Sequence, residues 1–574
     1  MKLNNEYRFG VSPRVETPRS RFLMHKNIRT TFNAGKLIPI YVNSDIYPGD
    51  TYSVKGTFVC RMSTPIHAPM DNAFIDLRAF FVPHRIVWTH FKEFMGENNT
   101  GSWTQTTQYT VPQVRILSSS VSSSSKRVIA KGDTLQYMGI PIGYPANPTV
   151  ANDIKISALP LRAYVKTWND WYRDENFVAP MNEYVGDNDE HLSTSSSVTW
   201  GNHYTQNPYY PYECAPVYKF KDYFNACLPE PQKGNPVTLP IGSYAPVIGD
   251  GKVLGLTDGT NTTGLAHYYT GGVSAVDTYS NLYGAQVGTA GNNTTSPSGG
   301  LGVTSDGDKS GLIADLSNAV AATINAQRMA FATQRILEAD ARYGTRYAEI
   351  IKGFFGVDSP MSAVLQRPEY LGGIRLPLSL TQTVQTSSTD NTSPQGNVSS
   401  FSLTVDMSHY FTKSFTEHGT LLILACVRTE HSYSQGISKM WWRKNRLDFY
   451  WPQLAFLGEA PIYNKEIFAD GSANDDGVFG YNERWVELRT EQNINTGAFS
   501  PNYAQSLDSW HYGDDYSSLP VLSDAWRRET LDNIDRTLAV QSSVEDQFLF
   551  DSRWEIDKTA CMPIRSIPGL LDHF

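Results

Sequence analysis

A chain of 574 residues with a formal net charge of −9 is not a generally basic nucleic-acid coat, although a local basic surface stays open. Its 32 tyrosines and 12 tryptophans ask for large packed interfaces or ring-stacking surfaces. The five cysteines, Cys60, Cys214, Cys227, Cys426 and Cys561, are odd in number and show no zinc or redox spacing; Cys60 and Cys426 read as buried free thiols.

In chain order, residues 1–36 come first, with eight cations (Lys2, Arg8, Arg14, Arg19, Arg21, Lys26, Arg29, Lys36) against Glu6 and Glu16. The stretch reads as an extended basic arm, either a solvated tail or a lining that touches a polyanion. Its opening residues lack the apolar core of a signal peptide, so synthesis and folding in a reducing cytoplasm are expected, without membrane insertion. After a turn at Tyr47-Pro48-Gly49-Asp50, Tyr52, Val54, Phe58, Cys60 and Met62 keep one strand parity, interrupted by Gly56. Ile75, Leu77, Ala79 and Phe81 repeat the alternation up to Pro83.

A short helix is expected over 86–95, with Trp88, Phe91 and Met95 on one side, and a polar loop over 98–130. Leu161, Tyr164, Val165, Trp168, Trp171 and Tyr172 then fall at helical spacing, a packing stripe. Residues 230–310 hold 16 of the 43 glycines and read as an inserted excursion of turns and short strands. A sandwich tolerates such an insertion because loop-closure entropy grows only slowly with length. The predicted helix 311–342 follows, with Leu316, Val320, Ile324 and Phe331 on one face and Gly344 at its end. Arg328, Arg335 and Arg342 share another face and are candidates for a salt-bridged surface or a contact between subunits.

Phe401, Leu403, Val405 and Met407 alternate with polar residues, which predicts a strand with one face on a core. Leu421 to Val427 run apolar without a break, the pattern of an interior strand covered on both faces. The fold expected from these elements is a β-sandwich with long loops in place of extra domains. From 428 to 451, cations interleave with aromatics: Arg428, His431, Tyr433, Lys439, Trp441, Trp442, Arg443, Lys444, Arg446, Phe449, Tyr450 and Trp451. Single-stranded nucleic acid asks for that mixture, and so does a packed subunit contact.

Signals for chemistry are weak. Asp306, Asp308, Ser310 and Gly311 match the start of an EF-hand loop, but Ser317 stands where its bidentate Glu belongs, so no metal is assigned. Gly249-Asp250-Gly251 with Gly255 is no dinucleotide fingerprint, and neither a HExxH nor a Gly-x-Ser-x-Gly pattern occurs. No catalytic residue and no cofactor is expected.

Five blocks carry a family likeness: TTFNAGKLIPIYV with YPGDT (30–51), MDNAFIDLRAFFVPHRIVW with FMGE (70–97), ARYGTRYAEII (341–351), QRPEYLGG (366–373) and WWRKNRLDFYWPQLAFLGEAPIYNKEIF (441–468). They resemble the major capsid proteins of gokushoviruses, small single-stranded-DNA phages of the Microviridae. The resemblance implies a mainly β chain built on an eight-stranded viral jelly roll with long loop insertions and a few helices. It implies sixty copies in an icosahedral shell around circular single-stranded DNA, assembled in the host cytoplasm and carried in the virion.

A DNA pilot protein, an internal scaffold and a bacterial surface receptor are the further partners it implies. Four segments follow: the arm 1–36, a first part of the jelly roll at 37–229, a protrusion at 230–310, and the remainder at 311–574. Candidate DNA contacts are Arg8, Arg14, Arg19, Arg21, Lys26, Arg29, Arg428, Lys439, Trp441, Trp442, Arg443, Lys444 and Arg446. Candidate subunit contacts are Arg328, Arg335, Arg342 and Trp451, and candidate receptor contacts Tyr268, Tyr269, Tyr279 and Tyr283. The competing readings are a carbohydrate-binding or glycan-cleaving jelly-roll protein and a phage spike.

Overall fold

The computed structural model describes residues 19–99, 107–117, 128–144, 154–193, 198–201, 209–237, 247–249, 256–257, 302–303, 312–314, 324–358, 360, 365–387, 389 and 394–565. The chain forms two compact units, one from Met1–Lys233 with Glu338–Phe574 and one from Gly234–Leu337.

The first unit is a β-sandwich. Its strands are β1 (Ser20–Phe32), β2 (Ile38–Ile46), β3 (Thr51–Met62), β4 (Ala73–Pro83), β5 (Glu369–Pro377), β6 (Thr404–Ser414), β7 (Gly419–Thr429) and β8 (Phe548–Ala560). One four-stranded sheet runs β1-β8-β3-β6 and the other β5-β4-β7-β2, with every pair antiparallel. Side chains from the inner faces of both sheets make one shared core: Val54, Phe58 and Cys60 of β3, Phe550 and Trp554 of β8, Ile75 and Leu77 of β4, and Leu421 and Ile423 of β7. Gly56 is required there, because a Cβ would stand 2.6 Å from the Tyr410 ring and 2.7 Å from Trp554.

The unbroken apolar run is an interior strand, as its composition predicts. β7 lies between β4 and β2, and the period of two sends its residues into two different cores. Leu421, Ile423, Ala425 and Val427 enter the sandwich. Leu422, Leu424 and Cys426 point the other way, into a second core with Phe80, Leu161, Tyr164 and Trp168. Helix α1 (Leu159–Thr167) and the π-turn Trp168–Tyr172 supply that cover, so the predicted stripe at 161–172 packs on the back of the sheet.

Several expectations need correction. Residues 20–32 of the basic arm are not an extended tail but the edge strand β1, paired along its whole length with β8. The helix expected at 86–95 is two short ones, His84–Val87 and Phe91–Phe94, broken at the buried Trp88, and Met95 is exposed. The polar stretch 98–130 contains a strand, Gln113–Leu117, in a mixed four-stranded sheet. The alternation at 401–407 has the right period and the wrong face: Phe401, Leu403, Val405 and Met407 point outward, Met407 at 77% exposure, while Ser402 and Thr404 are buried.

In the second unit, Val247–Gly249 pairs with Leu312–Ala314 and Leu256–Thr257 with Gly302–Val303. Helix α2 (Ile324–Tyr343) therefore starts later than the predicted 311, and Leu316 and Val320 lie outside the described residues. Ile324 and Phe331, which share one face by their spacing, are exposed. Gly344 ends α2 at φ +94°, a backbone conformation that glycine adopts without strain.

Candidate assembly surfaces and an arginine-lined cleft

The described cations of β1 do not stand free. Arg21 Nε donates to Asp557 at 2.7 Å, and Arg29 lies 3.7 Å from Asp551; both carboxylates belong to β8. Arg19 donates to the Gly49 carbonyl, and the Lys26 ammonium sits 4.8 Å above the Tyr41 ring. Such exposed pairs contribute little to stability and leave a face of mixed sign. Arg8 and Arg14 lie outside the described residues, as do Tyr268, Tyr269, Tyr279, Tyr283 and the EF-hand-like residues 306–311.

Geometry divides the stretch 428–451. Arg428 turns down into an ion-pair cluster on Asp76. His431 is buried between Asp514 at 2.7 Å and Glu529 at 3.1 Å, with Lys219 on Asp514 at 2.9 Å. Burial alone would lower the His431 pKa, but the two carboxylates outweigh it and lift it to about 9. Tyr433 is buried as well, its hydroxyl donating to Asp222 at 2.7 Å, and short 3₁₀ turns form at Lys439–Trp441 and Arg446–Asp448.

There, cations and rings pair with one another. Lys465 lies 4.2 Å over Trp442, Arg446 lies 4.7 Å over Trp451, and Arg443 reaches Glu487 at 3.3 Å. Lys444 is exposed, and its backbone N–H donates to Asp448 at 2.9 Å. Met440, Trp441, Leu447, Phe449 and Tyr450 stay exposed, and Phe456 reaches 95%. This is an apolar surface rimmed by cations, the composition of a protein contact as much as of a base-stacking platform. Of the arginines expected on α2, Arg342 pairs with Glu459, whereas Arg328 and Arg335 are exposed.

One site escaped the sequence reading. On the outer face of the β5-β4-β7 sheet, beside the second core, Phe74, Arg78, Arg375 and Arg428 floor a cleft of about 990 Å³. Asp76, 2% exposed, lies beneath, 2.6 Å from Arg375 and 3.6 Å from Arg78, and also bonded to Arg428. Burial would raise the Asp76 pKa; the arginines prevail and hold it below the usual carboxylate value. The Arg375 and Arg428 guanidiniums lie 4.4 and 4.2 Å from the centre of the Phe220 ring. The signal was present in the sequence: Asp76 and Arg78 take the second parity of β4, opposite Ile75 and Leu77, where a wholly covered strand would be apolar.

A family description, capsid protein (F protein), matches residues 12–570. The chain belongs to this capsid protein family. Among its relatives, capsid protein VP1 of Spiroplasma virus 4 is 36% identical over 569 residues, covering 96% of this chain and 95% of the relative. Capsid proteins VP1 of Chlamydia phage 1 and Bdellovibrio phage phiMH2K are each 34% identical, covering 98% and 100% of this chain and 97% and 99% of theirs.

The likeness to gokushovirus capsid proteins drawn from the five sequence blocks is therefore borne out. This capsid protein has a structural role in the virion and is not an enzyme, which removes the glycan-cleaving reading. Among the described residues, no helix is long and apolar enough to cross a membrane, and no group of His, Cys, Asp and Glu could hold a metal ion.

Proposed function

We propose that this capsid protein closes, in sixty copies, into an icosahedral shell around circular single-stranded DNA, assembled in the host cytoplasm with an internal scaffold and a DNA pilot protein. The observation that carries the reading is the outward apolar row Phe401, Leu403, Val405 and Met407 on a capsid-family chain whose β7 is fully covered. An unpartnered apolar row favours burial against a neighbouring copy. The strand orders β1-β8-β3-β6 and β5-β4-β7-β2 support an eight-stranded viral jelly roll as the tile.

Arg8 and Arg14 of the amino-terminal segment, with Lys439, Trp441, Trp442, Arg443, Lys444 and Arg446, are the proposed DNA contacts. Arg21 and Arg29, already paired on β8, contribute less. Arg328, Arg335, Arg342 and Trp451 are proposed to meet neighbouring copies. The Gly-rich 230–310 segment, with Tyr268, Tyr269, Tyr279 and Tyr283, is proposed as the protrusion that meets a bacterial receptor.

Electron microscopy of material from producing cells, with nuclease-protected DNA measured on the same particles, tests the reading. Closed particles holding single-stranded DNA are expected. A soluble monomer, or particles around another nucleic acid, contradicts it. Neutralising Arg8 and Arg14 is expected to lower DNA content while shells still form.

A further inference from the structure

Cations and aromatic rings, the mixture that single-stranded nucleic acid asks for, also meet in the cleft on the β5-β4-β7 sheet. On its floor Arg78, Arg375 and Arg428 share the single carboxylate of Asp76, which leaves two positive charges without an anion. Asp76 lies beneath at 2% exposure, whereas the Arg375 side chain is 46% exposed and that of Arg78 33%. Arg173 and Lys221, also of the lining, have no carboxylate within ion-pair distance among the described residues. Arg173 donates to the Val178 carbonyl at 2.6 Å, and its Nε is buried without a hydrogen-bond partner. Lys221 is exposed, yet loss of water in the cleft, and then Arg527, lower its pKa, so an arriving anion would relieve it.

The wall carboxylates do not close the cleft to a polyanion, because they are already paired within the chain. Glu175 and Glu349 lie 3.4 and 3.1 Å from Arg346, and Asp174 lies 2.7 Å from Arg527. Glu483 lies 2.7 Å from Arg489, and Glu459 is bonded to Arg342. Among the described residues Glu430 is the one lining carboxylate with no cation in ion-pair distance, and the Asn72 amide donates to it at 3.4 Å. A surplus of positive charge therefore remains in the cleft, on a chain whose net charge is −9. Trp171, Phe220 and Tyr343 are among the rings that line it. Guanidiniums already lie against Trp171 and Phe220, whereas Tyr343 is 46% exposed. At about 990 Å³ the cleft has room for more than one nucleotide. We infer that this cleft binds a short run of single-stranded DNA, with Arg375, Arg78, Arg428 and Lys221 on its phosphates and Tyr343 against a base. An acidic peptide would match the cations and leave that ring without a stacking partner. The inference rests on the proposed enclosure of single-stranded DNA and adds a contact outside the residues proposed for it above.

Fluorescence anisotropy of the intact purified protein with a labelled oligothymidylate of about eight nucleotides, beside polyglutamate of equal charge, tests this. Saturable binding of the oligothymidylate is expected, tighter than that of polyglutamate and falling steeply with added salt. Arg375→Gln, at a half-exposed position, is expected to weaken it about tenfold and to lower the salt slope by about one. Lys221→Gln, which breaks no ion pair among the described residues, serves as the second variant and should weaken it less. Photocrosslinking of the same oligomer carrying bromodeoxyuridine is expected to mark Tyr343 or Phe220 in the wild type and to fade in Arg375→Gln. Crosslinks confined to 439–451, or both variants binding as the wild type does, overturn the inference. So does polyglutamate binding as tightly, which assigns the cleft to an acidic protein segment. Wild-type particles that hold single-stranded DNA while neither variant changes binding overturn the cleft alone; wild-type particles around another nucleic acid overturn the reading on which it rests.

Discussion

Two neighbouring strands of this protein, β6 with its lead-in from Phe401 and β7 from Gly419, are both rich in large apolar residues and meet opposite fates. Every side chain of β7 from Leu421 to Val427 is buried, shared between two cores. The apolar row of Phe401, Leu403, Val405 and Met407 faces outward, while Ser402 and Thr404 turn in. Position in the sheet separates them: β7 is interior in its sheet and β6 is the edge of the other. An edge strand whose outer face stays apolar is a hazard for a lone molecule and a resource for one that tiles. The comparison therefore sorts the chain into apolar surface buried within one copy and apolar surface left open, the surface proposed to meet a neighbour.

The sharpest way to probe the first class is to cut into β7. Leu422→Ala and Ile423→Ala each empty a fully buried site in a different core, and each is expected to cost about 2–5 kcal/mol in denaturant unfolding. Similar losses would show that the two cores bear on folding alike; a loss confined to Ile423→Ala would make the second core dispensable.

The buried network just past β7 gives a pH-dependent counterpart. His431, with its folded-state pKa raised to about 9, adds stability that is full below its unfolded value and fades as pH rises through about 9. Wild type should lose on the order of 3 kcal/mol relative to His431→Gln between about pH 6 and about pH 10. Parallel stability profiles would mean that His431 is neutral in the fold.

Gly56 marks where the sandwich tolerates no addition. Gly56→Ala presses a methyl against Tyr410 and Trp554 and is expected to cost about 1–3 kcal/mol, read as a lower unfolding midpoint. The outward row should behave in the opposite way. Val405→Lys with Met407→Lys is expected to change the unfolding of the separated chain by no more than about 0.5 kcal/mol.

The period of strands was legible at 52–62, 75–81, 401–407 and 421–427 and was missed at 20–32, where polar residues dominate, and at 113–117. At Leu421–Val427 no choice of side exists, so the reading held. At 401–407 the period was right and the side wrong, because alternation alone does not say which face of an edge strand meets the core. The packing stripe at Leu161, Tyr164 and Trp168 was readable from spacing alone. The sheet pairing of 20–32 was not, since its cations hide the partly buried Met24 and Ile28, which pack on the sandwich core. In the 428–451 stretch composition grouped residues that geometry separates: Arg428 and His431 go into buried networks and Trp441 goes to the surface. The arginine cleft draws Asp76 and Arg78, Arg375 and Arg428 from three strands far apart in the chain; the polar parity of Asp76 and Arg78 on β4 is visible locally, and their meeting with Arg375 and Arg428 is not.

Particle formation by the Val405→Lys, Met407→Lys double variant, followed by electron microscopy and sedimentation beside the wild type, addresses the tiling claim most directly. Closed particles from the wild type and folded, unassembled subunits from the variant are the predicted result. Normal particles from the variant, or a wild-type chain that stays a lone molecule under producing conditions, would contradict it.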